Sequence, residues 1–461
     1  MSVGTSDTAA PPRGASPKDH RRSTLLDAIA VVAVVGLVVA AAFAGWMLVH
    51  NGVDIFLDFP PLLASWFPHT GPGTVPAVLL AVLVVIYGPR LAASMGWRPL
   101  LLCGYLTSVG WTLFLALVDG WQRGIAGRLT TGPEYLRDIA KVHSIPDTLR
   151  EFTSHILTGS GFTWSIHVGA HPPGAFLIFV LLEKIGLGGG GYAGMLCILL
   201  GASAGIAVAV TLRALGHADI ARSMLPFAVL APGAIWVGVS ADGMFAGILA
   251  WGVALLTVGA GTLRTGAMRW RDPLPAFAGG LLLGVTLYLS YGLALAGLIP
   301  LAVIAITRRW GVTLAAVLGA AIVVVAFTIG GFWWPHGLAV TRVDYAESIA
   351  ETRPYSYFIW ADLAALAFAI GPATVAGLRR YARAPRRVGA APALLTGAAA
   401  LAVLAADVSG MSKGEVERIW LPFAAWLIIP TALLPRPTLR YWLAAQALLA
   451  LLVQHLLLTA W

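Results

Sequence analysis

Residues 99–119, PLLLCGYLTSVGWTLFLALVD, decide the fold. Before its final Asp119 the run carries no charge, and its 21 residues are enough to cross a hydrocarbon core of about 30 Å as a helix. It lacks the period-two alternation of a barrel strand. Similar runs occur at 25–48, 74–90, 191–213, 219–238, 241–261, 274–291, 292–307, 311–331, 358–377, 389–406, 418–434 and 438–460, with a weaker one at 171–187. Of the 461 residues, 58% are hydrophobic and only 11% charged, against about 25% charged in a soluble domain. Mean hydropathy is +0.82. An ordinary cytosolic enzyme and a disordered chain are both excluded, and the expectation is an all-α polytopic membrane protein. Cys103 and Cys197 both sit in apolar runs, so neither a disulfide framework nor a thiolate metal site is expected.

The charges set the topology. The net charge is +9, from 30 Lys+Arg against 21 Asp+Glu. A nucleic-acid binder would gather these cations on one face, whereas here they fall between apolar runs. No nucleic-acid partner is therefore expected. Placing the N-terminus inside puts 20 of the 30 cations on inner connections, provided that one run does not cross. The run 171–187 opens with His171-Pro172-Pro173-Gly174 and contains Glu183 and Lys184. It reads as a membrane-lying or re-entrant segment on the outer face. Thirteen crossings result, N-terminus in and C-terminus out. Residues 1–24 read as a disordered basic cytoplasmic tail without the apolar core of a cleavable signal, and 25–461 as a single transmembrane domain.

Polar segments gather outside. Only 5 of the 21 acidic residues fall on the inner side: Asp7, Asp19, Asp27, Asp219 and Asp272. The segments 120–170 and 332–357 are far longer than the two to eight residues that usually join bundle helices. With 407–418 and the Ser240-Ala241-Asp242 junction, they mark a working face. Within 120–170, PEYLRDIAKVH and PDTLREFTSHIL read as short amphipathic helices, each opening with Pro.

Several residues there could carry chemistry. A carboxylate ending an apolar helix is costly and marks a functional site by default. Asp119 is such a residue, the alternative being a helix-end Asp reaching into water. Glu134 and Tyr135 follow in the loop. His171 is presented by two prolines whose φ angles are fixed, and it could donate to a phosphate oxygen, or the motif could simply start a helix. Lys413, Glu415, Glu417 and Arg418 form a dense cluster suited to an anion contact, against a solvated loop or a snorkelling Arg418. Arg353 leads an aromatic-rich helix entry. Asp242 lies in the first turn of a helix, where a carboxylate is favourable in any case. No phosphate-binding glycine loop or HExxH motif is present, and GLGGGG at 186–191 follows no strand.

An Asp at the outer end of an early helix, a long loop with EY, then HPP and a later S-x-D together resemble the GT-C class of membrane glycosyltransferases. Protein O-mannosyltransferases carry a similar HPP and aminoarabinose transferases a KPP. HPPG, RPYSYFIWADLAALA and GMSKGEVERIWLPF look like a narrower actinobacterial set, the mycobacterial methylthioxylose transferase family. The resemblance implies a polyprenyl-phosphate (decaprenyl-phosphate) sugar donor. It implies a glycan or glycolipid acceptor in the cell envelope, such as the mannose caps of lipoarabinomannan, and an extracytoplasmic site in the plasma membrane. It assigns Asp119 as catalytic base and Glu134, Tyr135 and Asp242 to the acceptor. His171, Arg418, Lys413 and Arg353 fall to the donor phosphate, and transfer would invert the anomeric centre. The family's paired acidic motif is missing, because Gly120 follows Asp119. A divalent cation is thus compatible with the resemblance but not indicated by ligand spacing. The competing expectation is a transporter or flippase of a lipid-linked or anionic solute, which would show inverted repeats and mid-membrane charges.

Overall fold

The computed structural model describes residues 17–157, 161–261 and 273–460. Most of the basic tail and the inner-loop residues Arg264, Arg269, Arg271 and Asp272 lie outside the described residues. The regular secondary structure of the described residues is helical apart from two three-residue strands. Each of the thirteen runs read as crossings contains helix. Among the described residues, eight helices are long and apolar enough to cross a membrane: Ser23–His50, Thr74–Ser94, Trp97–Ala116, Gly190–Ala214, Ala241–Ala260, Trp310–Ile329, Tyr355–Arg383 and Ala390–Val408. This is a multi-pass membrane protein.

Proline explains where continuous apolar runs become broken helices, because it removes an N–H and clashes with the preceding turn. The run 219–238 holds a helix Ala218–Val229, with Pro226 inside, and resumes only at Ala234–Val237 after Pro232. Pro422 and Pro430 punctuate 418–434, which divides into Val416–Ile419, Leu421–Leu427 and Ile429–Leu433. Within Tyr355–Arg383, Gly371 takes φ 74° and Pro372 follows. The fully buried Gln446 splints this break: its Oε1 accepts from the Ala373 N–H at 3.0 Å and its Nε2 donates to the Ile370 carbonyl at 2.7 Å. Backbone groups freed inside a bilayer need such partners.

The segment opened by His171-Pro172 forms helix Pro173–Lys184, of 12 residues. At about 1.5 Å per residue it is too short to cross. It is buried along Pro173–Leu177 and packs on the turn Tyr135–Lys141 and the helix Pro273–Leu289.

The bundle has two distinct polar ends. At one, the fully buried Asp27 accepts from Arg379 at 2.9 Å and from Arg380 Nε at 2.8 Å, clamping the first helix to Tyr355–Arg383. At the other, strand Ala64–Trp66, which follows the first helix, pairs antiparallel with Leu457–Thr459 beyond the last helix. The described chain therefore starts and finishes at opposite ends.

Candidate active site

Asp119 follows the helix Trp97–Ala116 and is positioned by a glycine contact. Gly73 packs so closely that a Cβ there would stand 1.9 Å from the Phe114 carbonyl oxygen. That approach brings the 51–73 segment onto the helix end and delivers His69. His69 Nδ1 lies 2.6 Å from the Phe67 carbonyl and Nε2 2.7 Å from Asp119 Oδ1. Asp119 Oδ2 accepts from Arg128 Nη2 at 3.2 Å and from Gln454 Nε2 at 2.9 Å. Arg128 also donates to the Thr459 carbonyl at 2.9 Å, tying in the second strand. The Asp119 side chain is 2% exposed, so it does not reach into water as a helix-end carboxylate would. Arg123, 3.6 Å away and 45% exposed, is its solvent-side neighbour.

Arg128 feels the charge of Glu134, which links this cage to the next group. Glu134 pairs with His167 Nδ1 at 2.9 Å. Burial pushes the Glu134 carboxyl up, but the hydrogen bond and charge of His167, with the charge of Arg418, hold it below its ordinary range. Tyr135 is buried among the rings of His167, His171 and Phe179, and burial first, then the Asp242 and Glu134 charges, raise its hydroxyl well above its usual value.

His171 differs from the expectation of a cation-like phosphate donor. Its Nδ1 is 2.8 Å from the His167 carbonyl, an acceptor only, so Nδ1 carries the proton and a neutral ring presents Nε2 as an acceptor. Burial pushes its pKa down to about 4, despite the opposing charge of Asp242. In the resting state the ring is uncharged at neutral pH.

Ser240 caps the helix Ala241–Ala260, accepting from the Gly243 N–H at 3.3 Å. Asp242, one turn in, accepts from Arg418 Nη1 at 2.7 Å through Oδ2. Both side chains are 5% exposed, and a pair this buried holds only with further partners. Glu415 supplies one: its Oε2 accepts from Arg418 Nη2 at 3.1 Å and its Oε1 faces Arg353 Nη2 at 3.4 Å. Arg353 donates to the Lys413 carbonyl and Lys413 Nζ to the Arg353 carbonyl, at 2.5 and 3.0 Å. Burial opposes the Arg418 charge, yet Asp242, Glu415 and Glu134 more than offset it and raise its pKa.

The eight residues to which the resemblance assigns roles thus stand at one end of the bundle, in two linked groups. His69, Arg128, Gln454 and His167 were missed. Gln454 and His455 interrupt an otherwise apolar stretch, LLVQHLLL, and His167 stands four residues before His171; those are the only sequence signals they offer. Among the described residues, no three His, Cys, Asp or Glu are grouped to hold a metal ion. The carboxylates Asp119, Glu134, Asp242 and Glu415 each face nitrogen donors, a donor set that does not fit a divalent cation.

No family model and no curated protein matches the chain. Among solved structures it is similar to ArnT from Cupriavidus metallidurans in the apo state, at 17% identity and a TM-score of 0.44, over 71% of this chain and 58% of that one. It is similar to the same protein bound to undecaprenyl phosphate, at 18% identity and a TM-score of 0.43, over 71% and 59%. A third similarity is to the Archaeoglobus fulgidus oligosaccharyltransferase complex with Zn and sulfate, at 14% identity and a TM-score of 0.44, over 77% and 53%. The chain spans between 53 and 59% of the length of these structures.

Proposed function

We propose that this protein is a GT-C-like glycosyltransferase that moves a sugar from a polyprenyl-phosphate donor to an acceptor hydroxyl on the extracytoplasmic face of the plasma membrane. One observation carries the reading. Carboxylates and guanidiniums from four separated segments, around residues 119–134, 242, 353 and 415–418, converge at one end of a membrane-embedded bundle. Displacement at a sugar phosphate needs this combination: a base for the hydroxyl and cations for the leaving phosphate. The gathering of these groups at an end of the bundle favours this over a transporter, which would place charge near mid-membrane. The excess of Lys and Arg on the connections read as inner supports an N-terminus inside and this end outside.

In this reading the donor phosphate lies against Arg353 and Arg418, with Lys413 adding positive potential and His171 lining the pocket. Asp119 takes the acceptor proton as the acceptor oxygen bonds the anomeric carbon. The bond from that carbon to the phosphate oxygen breaks, releasing polyprenyl phosphate with inversion. Because Asp119 is enclosed in the resting state, the hydroxyl must replace one of its donors, and Arg123 marks the open side. Glu134, Tyr135 and Asp242 shape the acceptor side. Methylthioxylose transfer to lipoarabinomannan mannose caps is the specific form that the HPPG and GMSKGEVERIWLPF wording supports.

The test is reconstitution. Purified protein in vesicles, given decaprenyl-phosphate sugars and a mannose-terminated acceptor, should release decaprenyl phosphate and form glycoside in equal amounts. Translocation of the intact donor without glycoside formation would instead identify a flippase.

A further inference from the structure

Glu415 lies between two guanidiniums. Oε1 is 3.5 Å from Arg353 Nη1 and 3.4 Å from Nη2, and Oε2 is 3.1 Å from Arg418 Nη2. A carboxylate and a phosphodiester present oxygens to a guanidinium in the same way, so this is an anion receptor filled by the protein's own side chain. The backbone at that point is also unusual. Glu415 takes φ 63°, and Gly414 before it and Gly410 earlier in the segment take φ 86° and 65°. A non-glycine residue in the left-handed region costs conformational energy and persists only where its surroundings hold it. Here the backbone is held by the Asp362 carboxylate, which accepts from the Gly414 N–H at 3.0 Å, and by the Arg418 and Ile419 N–H groups on the Glu415 carbonyl, and the side chain is held by the two arginines.

Charge decides which group gives way when an anion arrives. Arg353 and Arg418 carry two positive charges and the carboxylates that they contact, Asp242 and Glu415, two negative ones, so these paired groups balance, with the Lys413 ammonium beside them on the Arg353 carbonyl. A phosphodiester adds one negative charge that such a buried site cannot hold unless a carboxylate leaves or is neutralised. Asp242 is fixed in the first turn of a 20-residue helix with its side chain 5% exposed. Glu415 sits on a short glycine-flanked segment with its side chain 19% exposed. Glu415 is the group able to leave.

We infer that Glu415 is an internal stand-in for the donor phosphate, holding Arg353 and Arg418 in register in the empty site and swinging out when the phosphate of a polyprenyl phosphate, sugar-bearing or free, takes its place. This rests on the donor-binding reading above. It makes Glu415 a specificity-determining residue, because a neutral prenyl compound has nothing to offer the two arginines in exchange.

The inference predicts a gain on removing a polar contact. Binding of decaprenyl phosphate to the purified full-length protein would be measured for wild type, Glu415→Gln, Glu415→Asp and Arg418→Gln, with decaprenol as the uncharged control. Glu415→Gln removes the competing charge at constant size, and Glu415→Asp keeps the charge but shortens its reach. Both should bind decaprenyl phosphate more tightly, Glu415→Gln by about tenfold, the scale of one charged hydrogen bond, with decaprenol unaffected. Arg418→Gln should bind it at least tenfold more weakly. If Arg418→Gln weakens binding while both Glu415 variants bind no better than wild type, Glu415 is a structural brace and the inference is overturned. If Arg418→Gln binds as wild type does, the donor-binding reading itself fails and takes the inference with it.

Discussion

His69 and Asp119 stand 50 residues apart in the chain and 2.7 Å apart in space. The contact joins the first loop of the protein to the end of its third helix. With Arg128 and Gln454 it gives the buried carboxylate donors from three parts of the chain. Removing His69 should therefore act on stability as well as on activity. His69→Ala is expected to lower stability by about 1–3 kcal/mol, the cost of a buried acceptor losing a partner. Thermal unfolding in detergent measures it, and a melting temperature equal to wild type would show the contact to be incidental.

At the opposite end, Asp27 should behave as a fastener without chemistry. It is fully buried and bridges Arg379 and Arg380. Asp27→Asn leaves both arginines without a counter-charge and should cost about 3 kcal/mol. Donor affinity in the folded fraction should not change.

Two groups near the site give stability opposite pH slopes. His171 has its pKa pushed down to about 4 by burial, so the unfolded chain binds its proton first. Its stabilising contribution is lost as pH falls from about 6.5 towards 4. Glu417 is pushed up to about 7, by burial and then by the Glu415 charge, so the folded chain holds its proton longer. Its contribution is lost as pH rises from about 4.3 through 7. The two offset in wild type. Glu417→Gln, neutral at every pH, should match wild type near pH 4.5 and become relatively more stable towards pH 8. Melting temperatures across that range check the sign, and a difference that does not grow with pH would contradict the buried, protonated Glu417.

Orientation is checked by labelling in a Cys103→Ser background, since Cys103 is exposed. Ala140→Cys and Met411→Cys should react with an impermeant thiol reagent on intact cells, and Ala382→Cys only after permeabilisation. Labelling of residue 382 from outside would reverse the topology and move the site to the cytoplasm.

The membrane fold was legible because charge is scarce in this chain: 11% of residues must serve every loop and site, so Asp119, His171, Asp242 and Arg418 stood out against apolar neighbours. Helix continuity was less legible. The runs 219–238 and 418–434 read as unbroken apolar spans, although Pro226, Pro232, Pro422 and Pro430 divide them into pieces. The partners of the key residues could not be read at all. Gln454 meets Asp119 across 335 positions, and Arg418 meets Asp242 across 176. Nothing local encodes either pairing. The neutral state of His171 likewise depends on a backbone carbonyl that only the turn before Pro172 brings into place.

The central claim is that Asp119 takes the acceptor proton, and Asp119→Asn tests it most directly. Asn keeps one acceptor oxygen but cannot take a proton. Because Arg128 and Gln454 both donate to Oδ2, the variant should also lose about 1–3 kcal/mol of stability. Rates are therefore measured in single turnover on protein shown to bind decaprenyl phosphate. The account predicts a sugar-transfer step about 10²–10⁴-fold slower with donor binding intact. Transfer at near wild-type rate would make Asp119 a structural anchor and move the base to Glu134.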